Sequence, residues 1–235
     1  MVRHNADPTS LEAVMKTHLR SLTAIVLLLV SACAGGDRLA GIPPDQLYAM
    51  AEAAGADKDY EDAHEILDRI RDDHPFSRFA VEAELLAADL KFADKQFEEA
   101  AALYRSFEQL HPTHSRVAYT IYRRGLAYWN LSRPAGRDQA PTRSAAEAFQ
   151  KLLYGYAGSE YAAPAREQLA LARSRLAAHE IHVGRYYLRR NRYAAALGRL
   201  EGVIQEFPDV PEQTEARQLA QEARAGLAAN PPDPE

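Results

Sequence analysis

"HVGRYYLRRNRYAAALGRLEGVIQEFP", residues 182–208, reads as two amphipathic helices joined by a short polar turn, and its reading decides the fold. Ala196, Leu200, Val203 and Phe207 recur at the three-to-four-residue spacing of a buried helical face. Pro208 stops that helix, because proline has no N–H with which to continue the ladder. Upstream, Val183, Gly184 and Tyr187 belong to a preceding helix, and Asn191 and Tyr193 lead into the second. Arg199 lies on the flank of the apolar stripe, and Arg189, Arg190 and Arg192 crowd the approach to it. Taken alone, Arg199 is a flank residue whose aliphatic stem covers the core while its head reaches water.

The same order returns along the chain. An aromatic residue, an alanine three positions on and a proline twelve beyond that occur as Tyr60-Ala63-Pro75, Phe97-Ala100-Pro112 and Tyr193-Ala196-Pro208. Thr142-Ala145-Ala157 keeps the spacing without the aromatic or the proline. Ile66, Leu67 and Ile70, then Leu103, Tyr104 and Phe107, then Ala148, Phe149 and Leu152, hold the positions behind each alanine apolar or aromatic. "RRGLAYW" repeats the Gly-and-Tyr theme at Gly125 and Tyr128. This is the order of tetratricopeptide repeats, in which small residues let paired helices approach closely. A helix pair cannot bury its face alone, so the pairs are expected to stack.

The expected fold is therefore all-α: a tetratricopeptide solenoid of four to five helix pairs over residues 44–228, with a capping helix at about 211–228. The anchor alanines are 37, 45 and 51 residues apart, longer than the usual repeat. The first excess falls in an inter-repeat turn and the second in the loop "SRPAGRDQAPT" (132–142). The third leaves room for an additional helix at 159–180. Residues 229–235 are expected to be a disordered tail. In the slot of Arg199, three past the anchor, the other repeats carry Ile66, Leu103 and Ala148, which points to an outside use for the arginine.

Charge is segregated along the solenoid. Residues 44–112 hold 17 acidic and 7 basic side chains; residues 113–205 hold 6 acidic and 15 basic. The two halves, about 44–116 and 117–228, are expected to face different partners. A basic half could serve nucleic acid, but an exported protein meets little of it, so an acidic protein surface fits better.

Export is read from "KTHLRSLTAIVLLLVSACAGG" (16–36): a basic lead, an apolar run from Leu22 to Val30, then small residues. The run is too short to span a bilayer and suits a secretory signal. Val30-Ser31-Ala32-Cys33 resembles a bacterial lipobox, whose cysteine is lipidated and becomes the mature N-terminus. Residues 1–32 are then a lipoprotein signal peptide and 33–43 a lipidated tether. Asp7 and Glu12 are foreign to such a leader, and a start at Met15 would remove them. Cys33 is the single cysteine, which excludes an intrachain disulfide. Ala34, where an aspartate often retains lipoproteins at the inner membrane, favours the outer membrane.

No motif carries a reaction. The chain has no glycine-rich phosphate loop and no nucleophile elbow. "HEIH" (179–182) offers two histidines without a third ligand, and "HPTH" (111–114) reads as a turn closing a repeat. No enzyme, cofactor or metal is expected.

"HPFSRFAVEAE", "LHPTHSRVAYTIYRRGLAYW" and "YYLRRNRYAAALGRLEG" together resemble the BamD family, the tetratricopeptide lipoproteins of the outer-membrane barrel assembly machine. The likeness runs from about residue 44 to 227. It implies a non-enzymatic role as an outer-membrane, periplasm-facing assembly scaffold. Its C-terminal repeats would hold a POTRA domain of the barrel insertase, and its N-terminal repeats would meet unfolded β-barrel substrates. Other lipoproteins of the machine are further candidate partners. Carried over by motif, Arg199, Arg190 and Tyr187 fall on the insertase-facing surface, and His74, Pro75, Phe76 and Ser77 on the substrate groove. His74 stands where the family more often has tyrosine, and Ala157 where it usually has proline. The alternative is a tetratricopeptide adaptor for peptidoglycan enzymes or the Tol-Pal system, families that lack this ordered motif set.

Overall fold

The computed structural model describes residues 37–230. Cys33, most of the tether and residues 231–235 lie outside the described residues. Residues 37–43 belong to a separate unit from the one that starts at Pro44. Within this segment the Asp37 carboxylate accepts a hydrogen bond from the Leu39 amide at 3.0 Å.

The second unit, among its described residues, is nine α-helices and no strand. They are α1 (Pro44–Ala56), α2 (Tyr60–Asp73), α3 (Arg78–Ala93), α4 (Phe97–Leu110), α5 (Val117–Leu131), α6 (Ala140–Gly155), α7 (Ala162–Leu188), α8 (Tyr193–Glu206) and α9 (Gln213–Ala229). Each helix packs on its neighbours in sequence, and α1 also meets α3 as α7 meets α9. Four antiparallel pairs therefore stack, and α9 closes the end.

The repeat residues explain the stacking. Ala63, Ala100, Ala145 and Ala196 are all fully buried. Gly125 on α5 and Gly184 on α7 allow the closest approaches between paired helices. A Cβ at Gly125 would lie 2.5 Å from the Phe149 ring, and one at Gly184 would lie 2.9 Å from Leu200. Three pairs turn in the same way: Lys58, Lys95 and Asn191 adopt positive φ of 65°, 62° and 55°. The amides of Asp59, Gln96 and Arg192 then reach back to the carbonyls of Ala54, Lys91 and Tyr187, which satisfies the helix ends.

Each second helix ends alike. His74, His111, Tyr156 and Phe207 have φ between −125° and −137° and donate their amides to Ile70, Phe107, Leu152 and Val203. Tyr156 takes this geometry although Ala157, not proline, follows it. The third pair lacks the positive-φ turn and uses the longer loop 132–139. There the buried Gln139 amide donates to the carbonyls of Arg133, Pro134 and Arg137, while the Thr142 hydroxyl donates to Gln139 at 2.7 Å. Thr142 thus replaces the aromatic of the other repeats with a polar brace.

The sequence leaves open whether 159–190 is one helix or two, and the structure answers it: α7 is a single 27-residue helix. Its first turns pack on α6 through Ala162 and Ala165, and its last turns enter the C-terminal core through Ile181 and Leu188. The capping helix begins two residues later than the sequence suggested and ends at Ala229, one residue into the expected tail.

Two polar clusters join the second pair to the third. Glu108 on α4 has a side chain only 3% exposed and receives Arg124 of α5 in two hydrogen bonds, 2.7 and 3.1 Å long. Lys151 of α6 reaches the same carboxylate at 2.7 Å. Beside it, Asp89 of α3 accepts from the Tyr104 and Tyr119 hydroxyls, and Arg123 lies over the Phe92 ring at 3.8 Å. Burial, and then the Asp89 carboxylate, push both phenols well above their ordinary range.

Gly125→Ala should destabilise the protein by about 1–3 kcal/mol, the usual cost of overpacking a filled core. Gly202→Ala, whose Cβ would meet nothing within 4 Å in mid-helix, should instead stabilise it by about 0.5–1 kcal/mol. Urea midpoints by circular dichroism check both; equal midpoints would contradict the packing at Gly125.

Candidate functional site: two faces of a solenoid

The C-terminal candidates sit on α7, α8 and the turn between them. Leu200, in the α8 stripe that packs against α7, fills the space beside Gly184, which fixes the register of the two helices. That register places Arg199 opposite Glu180, and its Nη1 donates to Oε2 at 3.0 Å. The pair is accessible, with side-chain exposures of 52% and 24%. Arg199 thus already has a partner within the chain, and it uses one of its five N–H donors to hold it. The equivalents Ile66 and Ala148 are buried, so this slot is exposed only in the last pair.

Arg190 has a different partner. Its guanidinium lies 4.3 Å from the centre of the half-exposed Tyr186 ring, and Tyr186 meets Tyr187 edge-to-face at 5.5 Å. Tyr187 packs against the C-terminal core. The structure therefore joins Arg190 to Tyr187 through Tyr186 and gives Arg199 a separate anchor. Around them, Arg185 pairs with Glu215 at 2.6 Å and Arg224 with Glu201 at 2.8 Å. Arg173 pairs with Asp209 and holds that carboxyl below the usual carboxylate range.

The N-terminal candidates form one turn between pairs. His74 closes α2 with its amide, the Ser77 amide donates to the His74 carbonyl at 2.9 Å, and the Ser77 hydroxyl accepts from Phe79 to open α3. Pro75 is exposed, and Phe76 is fully exposed, an apolar ring with nothing over it. Nearby in the same two pairs, a cavity of about 100 Å³ is lined by Arg71, Glu84, Ala87, Leu103, Phe107 and Leu110. His111 at the end of α4 bonds Glu84 at 2.8 Å, in the same capping place that His74 holds.

The two histidines of "HEIH" lie against the loop between α5 and α6. His179 contacts the Ala135 carbonyl at 2.6 Å, and His182 lies beside Gly136. Among the described residues no group of three or more His, Cys, Asp or Glu side chains is placed to hold a metal, and no helix is long and apolar enough to cross a membrane.

Sequence reasoning missed Glu180 as the partner of Arg199, although it stood inside "HEIH". It also missed the Glu108 cluster, since a buried glutamate on a charged helix looks like any other until its neighbours are known.

Comparison with known proteins matches these elements as a set. The family model described as YfiO, outer membrane lipoprotein, matches residues 41–232. Among the similar proteins are several named outer membrane protein assembly factor BamD. The one from Pasteurella multocida is 27% identical over 225 residues, covering 90% of this chain and 86% of the relative. That from Vibrio cholerae is 28% identical, covering 89% and 91%. That from Neisseria gonorrhoeae is 31% identical, covering 79% and 76%. With a match that takes in every helix of the solenoid, the chain belongs to the YfiO family of outer membrane lipoproteins.

Proposed function

We propose that the protein is an outer-membrane protein assembly factor: a lipid-anchored, periplasm-facing scaffold, without enzymatic activity, that holds the POTRA region of a barrel insertase and helps deliver unfolded β-barrel proteins to it. The observation that carries this reading is the family match from residue 41 to 232, which spans both charge halves of the solenoid. The C-terminal half is the insertase-facing one. Arg199 is held by Glu180 through a single N–H, so its other donors can meet a carboxylate on the POTRA surface. Arg190 and Tyr187 flank that contact. On the N-terminal half, the turn His74-Pro75-Phe76-Ser77 presents the exposed Phe76 ring to the apolar side chains of an unfolded strand. Cys33 carries the lipid; with several acyl chains it anchors stably, where one chain would be marginal.

Arg199→Glu should abolish co-purification of the insertase from detergent-solubilised membranes while far-UV circular dichroism stays helical. Truncating one member of a desolvated charge pair typically costs about 2–5 kcal/mol. Retained co-purification would remove Arg199 from the interface. Cys33→Ser should end metabolic palmitate labelling and release the protein from membranes except where its partner holds it. Unchanged labelling would place the lipid elsewhere.

A further inference from the structure

Six arginines collect on one edge of the C-terminal half. Arg133 and Arg137 stand on the loop between α5 and α6, and Arg143 on the first turn of α6. Arg189, Arg190 and Arg192 surround the turn between α7 and α8. Both connections join the two helices of a pair, so the stacking puts them on the same edge. The contacts of the loop bear this out: His179 of α7 bonds the Ala135 carbonyl, and Gly136 lies against His182. From His182 to Arg189 is seven residues of helix and turn, about 10 Å along α7.

Most of these guanidiniums are unpaired among the described residues, as are the exposed Arg166 and Arg217 near the starts of α7 and α9. Elsewhere in the C-terminal half, Arg124, Arg173, Arg185, Arg199 and Arg224 all hold carboxylates. The guanidiniums of Arg133, Arg137, Arg143, Arg189 and Arg192 are exposed and make no hydrogen bond, ion pair or ring contact with described residues. Arg190 only stacks on the half-exposed Tyr186 ring. Asp138 is the one acid within the two connections, and its carboxylate already accepts from the Ala140 amide.

We propose that this edge docks on an anionic phospholipid surface, with lipid phosphates as the counterions of Arg133, Arg137, Arg143, Arg189 and Arg192, beside the insertase-facing Arg190. Arg133 and Arg137 line one open hollow with Asp138, and Arg192 another beside Asn191; the spread of the six over two separate turns suits a plane of phosphates better than an inserted peptide. Guanidinium pairs phosphate oxygens in a fork, and an aromatic ring with one polar end belongs at the headgroup level. The same edge in the N-terminal half is acidic on balance: Asp57 and Asp59 flank Lys58 at one turn and Asp94 precedes Lys95 at the next, followed by Glu61, Asp62, Glu98 and Glu99. That half is repelled by the same surface, so the solenoid docks with its basic end down. The inference rests on the reading of the protein as held at a membrane, which brings the edge within reach of lipid.

Residues 44–235, a unit of their own without the lipid, allow the edge to be tested apart from the anchor. Flotation with vesicles of phosphatidylglycerol and phosphatidylcholine should recover the protein, and vesicles of phosphatidylcholine alone should not. Binding should weaken with salt, as the screening length contracts from about 30 Å at 0.01 M to about 8 Å at 0.15 M. Changing Arg133, Arg137, Arg189 and Arg192 together to glutamate should lower it at least about tenfold, with helicity unchanged, while lysine at all four should keep most of it. Equal recovery with both vesicle types would overturn the proposal. So would a glutamate variant that floats normally but no longer binds the insertase, since the edge would then serve a protein. Because no acyl chain is present, neither result depends on whether Cys33 is lipidated.

Discussion

Glu108 is the point at which the solenoid is fastened. Its carboxylate lies inside the protein, and taking it out of water is costly unless the charge is matched. Arg124 and Lys151 match it from α5 and α6, so one side chain of α4 fixes two following helices. Apolar packing alone would tolerate some slippage of one helix pair on the next. A forked hydrogen bond from the Arg124 guanidinium, with the Lys151 ammonium as a second charged partner, tolerates much less. The neighbouring cluster of Asp89, Tyr104, Tyr119 and Arg123 fastens α3 and α4 to α5 in the same way.

The place of this fastening matters because it falls where the charge changes sign. Ahead of it lie the acidic pairs with the exposed Phe76; beyond it lie the basic pairs with Arg199 and the free arginine edge. Two loosely joined halves of opposite charge would tend to fold back on one another. Held apart in a stack, they present separate surfaces at a set spacing, which is what a scaffold between two partners requires.

The fold was legible because its determinants are local and recurrent. The anchor alanines mark a contact made in every pair, and the aromatic before them and the proline after them mark contacts that three of the four pairs share. Asn191 could be placed at a turn from its type, but Lys58 and Lys95 adopt the same positive φ without any sign in their side chains. Tyr156 closes its helix without a following proline, so Ala157 misled only about the marker and not about the turn. The long α7 was ambiguous because its two ends face different cores, which erases a single apolar stripe.

The candidate site was legible in part. Arg199 stood out because three other repeats carry apolar residues in its slot, and the structure shows that slot exposed. Its partner Glu180 lies 19 residues away on an antiparallel helix, a distance no local spacing records. Position in a repeat thus identifies which residue is unusual, while the packing of the pair decides what it touches.

The central claim is that both halves behave as one body because Glu108 joins them. Glu108→Ala would leave Arg124 buried and without its carboxylate, a change that typically costs about 3–5 kcal/mol. Trp129, the single tryptophan, sits on α5 beyond the junction and reports that side alone, whereas far-UV circular dichroism reports every helix. Urea unfolding of the wild type should give coincident fluorescence and dichroism transitions; in the variant they should separate and move to lower urea. Coincident transitions at the wild-type midpoint would contradict the account.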